Sequence, residues 1–318
     1  MKYNIKIIFG PKEDVHSMKE ILTFEQIQTI FCDHGFPDDN PTLTNVGFRN
    51  QVYIGDHAVL KVYPEDNRRG YQKEFWFYKT AKLECIPKLY AAGENWILME
   101  RIHGVGLFRL WRDLSDQDRR AMVSKIADIA LAVSDTDISG TEAFLTRHEN
   151  YGEALVRSAE ELSERLQRCS GIPDDLLQRV MAYIHCYAYL LDDKQQYLVY
   201  NDLHFDNLMV TEEGRVVLLD FEMLAIGPKD LVLDVWQRML IHPFTYANED
   251  DHEHTHPKDY VHLLDWMQEF APSLFCNPYV RRRVNLYGMI YEMDILCDYP
   301  MGAWPRERLE RYLSETLW

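Results

Sequence analysis

The stretch that most restricts how this chain can fold runs from Tyr197 to Glu222. Two short apolar runs, Leu198-Val199 and Leu208-Met209-Val210, enclose the polar loop Asn201-Asp202-Leu203-His204-Phe205-Asp206-Asn207. A Glu212-Glu213-Gly214 turn then leads into Val216-Val217-Leu218-Leu219, followed by Asp220-Phe221-Glu222. Apolar runs of this length bounded by turn residues predict strands, here 197–200, 208–210 and 216–219. The loop and Asp220, 18 positions beyond Asp202 (220 minus 202), are thereby placed at adjacent strand ends. Asp and Asn supply hard oxygen donors of the kind that hold a divalent cation, and a carboxylate can orient a hydroxyl. An Asp followed five residues later by Asn is common by chance; the flanking strands and the second Asp give the pattern its weight.

Upstream, helical spacing covers 23–35, alternation covers 51–63 around a Gly55-Asp56 turn, a helix is predicted over 71–83 and an apolar strand over 96–102. After Gly104 the pattern becomes helical at 107–114, 118–133, 151–169 and 174–191, and again from about Lys229 to the end. The expected class is α+β with two lobes: a small β-rich lobe over 1–103 and a large, mainly helical lobe over 104–318, meeting at a hinge near residue 103. A chain of 318 residues suits two lobes, and no internal repeat, low-complexity tract or Gly/Ser linker interrupts it.

With 51 acidic against 34 basic residues the formal charge is -17, which disfavours nucleic acid and anionic membranes as partners and favours cations, although many proteins are acidic for solubility alone. Six scattered cysteines without CxxC spacing suggest neither a zinc site nor a disulfide framework. The apolar run Ile7-Ile8-Phe9 is too short for a signal or membrane segment, so a cytoplasmic monomer or homodimer is expected.

Lys61 interrupts the otherwise apolar strand Ala58-Val59-Leu60-Lys61-Val62-Tyr63. On the next helix Tyr71, Phe75 and Tyr78 form an i, i+4, i+7 stripe, with Glu74 at its edge facing the core, where a carboxylate needs a cation. Lys61 and Glu74 are therefore expected to pair. Asp234, inside a helix among apolar neighbours, needs donors, while Asp230 is an alternative as a helix cap. The run Glu249 to His256 alternates His252, His254 and His256, but a polar segment between helices reads first as a solvated loop. With Glu292 and Asp294 it could instead form an acidic rim for amine-bearing molecules.

The loop, the second Asp and the upstream Lys–Glu pair together resemble the aminoglycoside phosphotransferase and choline-kinase-like family, whose usual pattern is H-G-D-L-H-x-x-N followed by I-D-F/W-E. Here Tyr200 and Asn201 replace the usual His and Gly. The resemblance implies a protein-kinase-like fold, ATP (or GTP) with Mg²⁺, and phosphoryl transfer to a hydroxyl. It makes Asp202 the catalytic aspartate, Asn207 and Asp220 the Mg²⁺ ligands, Lys61 the contact to the α- and β-phosphates and Glu74 its orienting partner. Residues 44–51 would cover the phosphates, with Asn50 facing them. Met99, the Glu100 carbonyl and the Ile102 N–H would hold adenine, and Asp234 would hydrogen-bond the catalytic-loop backbone.

Three functions remain open on this basis. One is an antibiotic-type kinase for a cationic small-molecule acceptor, and another a metabolic kinase for choline, ethanolamine, homoserine or a sugar. The third is a catalytically silent binding protein, disfavoured because Lys61, Glu74, Asp202, Asn207 and Asp220 are all present. Neither the H-R-D loop nor the A-P-E segment of a protein kinase is found.

Overall fold

The computed structural model describes residues 21–44, 50–169, 172–247 and 249–316. Most of the segment expected to cover phosphates, 45–49, lies outside the described residues.

The N-terminal part is built on an antiparallel sheet of β1 (Thr42–Leu43), β2 (Gln51–Ile54), β3 (Ala58–Val62), β4 (Leu89–Ala92) and β5 (Trp96–Glu100), in the order β1-β2-β3-β5-β4. Strand β3 is hydrogen-bonded on both sides, with Lys61 opposite Val52 on β2 and Ile97 on β5. Side chains alternate along a strand. Ala58, Leu60 and Val62 accordingly pack with Ile27 and Phe31 of α1 (Phe24–Asp33), and Lys61 faces the opposite side. Thr23 closes the start of α1 in a capping box with Gln26. The β2–β3 turn leaves no room at Gly55, where a Cβ would fall 2.3 Å from Asp39 Oδ2. That Asp39 carboxylate accepts from the N–H groups of His57 and Ala58 and pins the hairpin.

Helix α2 (Arg68–Thr80) begins three residues earlier than the stripe suggests and ends three earlier. A short 3-10 turn after Pro64 feeds its first turn, and extended backbone at Ala81 stops it. It buries Glu74, Phe77 and Tyr78.

The remainder is mainly helical: α3 (Leu107–Trp111), α4 (Asp116–Ser134), α5 (Tyr151–Cys169), α6 (Asp174–Tyr187), α7 (Leu233–Ile241), α8 (Leu263–Phe270), α9 (Val280–Asp298) and α10 (Ala303–Ser314). The expected helix 174–191 finishes as a 3-10 turn at Ala188–Leu191. Set among the helices are two small sheets: β6 (Gly104–Gly106), β8 (Leu208–Thr211) and β9 (Val216–Leu218) in the order β6-β8-β9, and β7 (Tyr197–Tyr200) paired with β10 (Leu224–Gly227). β6 lies against β8 because Gly104 has no Cβ; one would sit 2.4 Å from the Val210 carbonyl oxygen. The segment leaving β5 is thus stitched directly to the strand that follows the Asp202 loop.

The α+β, two-lobed expectation agrees with this architecture. A continuous apolar core joins its parts, with Phe221 fully buried against Phe77 (centroids 4.6 Å) and Tyr78 (5.1 Å). Such aromatic pairs add about 0.5–1.5 kcal/mol each beyond area burial. They clamp the residue between Asp220 and Glu222. Among the described residues no helix is long and apolar enough to cross a membrane.

Candidate active site

Strand β3 delivers Lys61, 6% exposed, into a ring of carboxylates: Glu222 Oε1 at 2.6 Å, Glu74 Oε2 at 2.8 Å and Asp220 Oδ1 at 3.1 Å. Burial alone would depress the ammonium pKa, but the three carboxylates outweigh it and hold Lys61 protonated. One cation cannot fully satisfy three acids. Glu74, 1% exposed, is the most deeply buried of them, and desolvation pushes its pKa up to about 7 against the pull of Lys61. The structure therefore brings Lys61, Glu74 and Asp220 together from residues far apart in sequence.

Glu222 joins this group without having been singled out from the sequence. Its carboxylate accepts from Asn50 Nδ2 and, at 2.7 Å, from Asn67 Nδ2; Asn67 also donates to Asn50 Oδ1 at 2.9 Å, and Lys73 caps the Glu222 carbonyl at 3.1 Å. Asn50 is thus seated on Glu222. A signal for Glu222 existed: it stands two positions after Asp220, at the acidic end of the run that resembles the family's I-D-F/W-E. Asn67 had no comparable signal.

The polar loop after β7 forms a second cluster. The Asp202 carboxylate is about a third exposed, and its Oδ2 lies 3.4 Å from His204 Nε2 and 3.1 Å from Asn207 Nδ2. Burial would raise its pKa; the His204 and Asn207 hydrogen bonds and the charges of His204 and Arg238 prevail, holding it below the usual carboxylate value. Asn207 also donates through Nδ2 to the Asp202 carbonyl (3.0 Å) and to the Tyr200 hydroxyl (2.8 Å). The Tyr200 hydroxyl in turn donates toward the Asp220 (2.6 Å) and Leu219 (3.0 Å) carbonyls. Asp220 has φ 58°, a left-handed conformation that costs a non-glycine residue about 1–2 kcal/mol.

Oxygen donors that suit a hard divalent cation are the half-exposed Asp220 carboxylate and Asn207, whose engaged nitrogen end leaves its oxygen end for a ligand. The carboxylates of Glu74, Asp220 and Glu222, within 4.8 Å of one another among the described residues, already surround the Lys61 ammonium.

At the end of β5, Met99 is buried, with Tyr78 donating to its sulfur at 3.1 Å. The Glu100 carboxylate turns aside to the Lys88 N–H (3.0 Å) and Arg215 (3.4 Å), and Ile102 is buried just before β6.

Two expectations need correction. Asp234 is not bonded to the catalytic-loop backbone: its Oδ2 pairs with Arg238 one helical turn on (3.1 Å), and its Oδ1 has no partner among the described residues. An i, i+4 arginine on α7 captured the carboxylate first. Asp230 is likewise taken, by a two-point contact with Arg283 and by the Tyr287 hydroxyl. Glu292 cannot belong to an acidic rim, because it is fully buried and bonded to Arg308 at 2.9 Å; Asp294 is exposed and lies 3.3 Å from Arg165. The alternating histidines do not converge: His252 Nε2 meets the Ala247 carbonyl at 2.7 Å, and His254 and His256 are exposed.

Arg238 and Tyr246 are further residues that sequence reasoning missed. The Arg238 guanidinium lies 3.4 Å over the Tyr291 ring and donates to the Tyr246 hydroxyl, and the Tyr246 ring lies 5.0 Å from that of His204. A chain of contacts, buried at Asp234 and Arg238 and partly buried at Tyr246 and His204, thus leads from Asp234 to the Asp202 loop.

Comparison with known proteins bears on what this arrangement does. The sequence profile of the phosphotransferase enzyme family matches residues 42–236, from β1 into α7. No curated protein sequence matches the chain. Among solved structures, aminoglycoside phosphotransferase APH(4)-Ia is similar at 14% identity and TM-score 0.66, covering 92% of this chain and 99% of that one. The gentamicin complex of APH(2")-IIa is similar at 18% identity and TM-score 0.63, covering 92% and 95%. A choline kinase from Cryptosporidium parvum Iowa II is similar at 12% identity and TM-score 0.61, again covering 92% and 95%. At these identities the structures establish a shared protein-kinase-like fold, and the profile match establishes more: this chain belongs to the phosphotransferase enzyme family.

Proposed function

We propose that the chain transfers the γ-phosphoryl group of ATP, with Mg²⁺, to a hydroxyl of a small acceptor in the cytoplasm. The observation that carries this reading is the approach of Lys61 to both Glu74 and Asp220, which joins the phosphate-contacting cation to a cation-binding carboxylate across 159 residues of sequence. Bound Mg²⁺ would neutralise the phosphate oxygens and align the chain of phosphates. Asn207 and Asp220 would hold it. Lys61, kept charged and oriented by Glu74, meets the α- and β-phosphates, and Asn50, seated on Glu222, borders them. Met99 lines the adenine pocket, and the Glu100 carbonyl and Ile102 N–H supply its backbone contacts. On this reading residues 1–103 bind nucleotide and 104–318 carry the acceptor site. Asp202, ionised through the hydrogen bonds and charges around it, orients the acceptor hydroxyl and receives its proton.

For the acceptor, the charge of -17 supports a cationic compound of the antibiotic type, and the gentamicin-bound relative is consistent with it. A metabolic kinase is the second reading, favoured by the burial of Glu292 against Arg308, which removes one acid from the expected substrate rim. Product mass after incubation with ATP or GTP, Mg²⁺ and a panel of aminoglycosides, macrolides, choline, homoserine and sugars tests both, with Asp202→Ala as control. A gain of one phosphate that Asp202→Ala does not give identifies the acceptor class. An acceptor affinity indifferent to salt rules out a dominant charge attraction, since exposed charges are screened over about 8 Å at physiological ionic strength.

A further inference from the structure

Tyr200 stands where relatives in this branch usually carry histidine, and it is 2% exposed at the end of β7. Its hydroxyl lies within hydrogen-bond distance of three groups: the Asp220 carbonyl (2.6 Å), the Leu219 carbonyl (3.0 Å) and Asn207 Nδ2 (2.8 Å). A phenol has one proton to give and lone pairs to offer, whereas a backbone carbonyl can only accept. The Tyr200 proton therefore points at the carbonyls, and only lone pairs face Asn207. An amide presenting its oxygen there would set lone pairs against lone pairs; an amide presenting its nitrogen makes a bond. The two ends of an amide are distinguished by such partners and by little else. Asn207 uses Nδ2 toward Tyr200 and toward the Asp202 carbonyl and carboxylate, and its Oδ1 makes no hydrogen bond among the described residues. The same hydroxyl grips the backbone of Asp220, whose left-handed φ of 58° needs external support.

We propose that Tyr200 is a positioning residue for the metal ligands: its hydroxyl, together with the Asp202 carbonyl and carboxylate, fixes the amide orientation that turns Asn207 Oδ1 toward the cation and, through the carbonyls it grips, holds Asp220 in register with it. This rests on the reading that Asn207 and Asp220 bind Mg²⁺. Among the described residues, no other side-chain atom hydrogen-bonds both the Asn207 amide and the Asp220 backbone.

The test titrates Mn²⁺ into the ADP complex, following free metal by electron paramagnetic resonance, for the wild type, Tyr200→Phe, Asn207→Asp and the double variant. In the wild-type background Tyr200→Phe is expected to weaken Mn²⁺ binding roughly tenfold, the scale seen when a group supporting a metal ligand is removed. In the Asn207→Asp background the same change is expected to cost about threefold or less, because a carboxylate has no nitrogen end to select. ADP affinity without metal should stay within about twofold of wild type, a result that general damage to the fold would not give. Equal losses in the two backgrounds, or none in either, overturn the proposal while leaving the kinase reading intact. Absence of Mn²⁺ binding to the wild-type ADP complex overturns both. Should Tyr200→Phe melt below the assay temperature, Tyr200→Met removes the same hydroxyl with a more adaptable side chain and takes its place in the cycle.

Discussion

Lys61 lies closer to Glu222 (2.6 Å) than to Glu74 (2.8 Å), so the buried ammonium is shared between a carboxylate from α2 and one from the segment after β9. Removing the cation strands the deeply buried Glu74. Lys61→Met is expected to destabilise the protein by about 3–5 kcal/mol, as loss of one partner of a buried pair does. Lys61→Met with Glu74→Gln should recover most of that stability and none of the activity. Denaturant unfolding beside a phosphoryl-transfer assay checks both; equal stability of the single and double variants would contradict the pairing.

Asp202→Ala should lower the turnover number by about 10²–10⁴-fold, the usual contribution of a positioned base. Nucleotide affinity should change little, because the Lys61 cluster is reached from other elements. Steady-state kinetics and calorimetric ADP binding measure the two quantities separately.

His242 gives a pH signature. Its Nδ1 accepts from Arg308 Nε at 3.2 Å while Nε2 faces Glu307 at 3.3 Å, an arrangement that suits the neutral ring. Burial first, then the Arg308 charge, brings its pKa down to about 4 from 6.5. The unfolded chain therefore takes up a proton that the folded one refuses, and the stabilisation present above pH 6.5 is lost as pH falls toward 4. The loss is at most about 3 kcal/mol for this single group. His242→Gln should flatten that part of the stability profile, as read from urea midpoints between pH 7 and 4.

Arg283 holds Asp230 through Nε (2.5 Å) and Nη2 (2.9 Å) and also bonds the Leu190 carbonyl and Asp193. Arg283→Met leaves Asp230, 5% exposed, with the Tyr287 hydroxyl but without its cation. A destabilisation of about 3–5 kcal/mol is expected. Substrate constants measured well below the melting temperature should be unchanged, since neither residue touches the Asp202 or Lys61 clusters.

What the sequence revealed depended on periodicity. Helix α5 was legible end to end because Leu155, Ala159, Leu162 and Leu166 fall on one buried face. Strands β4, β6 and β10 were not: β4 is half-buried throughout, β6 is Gly-Val-Gly, and β10 exists by pairing with β7, 24 residues upstream from Leu224 to Tyr200 (224 minus 200). Lys61, Glu74 and Asp220 were legible as charges in apolar settings. Asn67, Tyr200 and Arg238 act through partners that no local pattern names, and Asp234 misled because its donor lay one turn away instead of in the loop.

Three carboxylates around a single ammonium leave the nucleotide cleft with surplus negative charge. On the proposed reading, a naked triphosphate approaching Lys61 is repelled by the very groups that keep that lysine in place, whereas the magnesium salt arrives with its charge partly cancelled. The cleft would thus discriminate by ionic form before it discriminates by base, and free ATP in excess over magnesium should compete weakly rather than poison the enzyme.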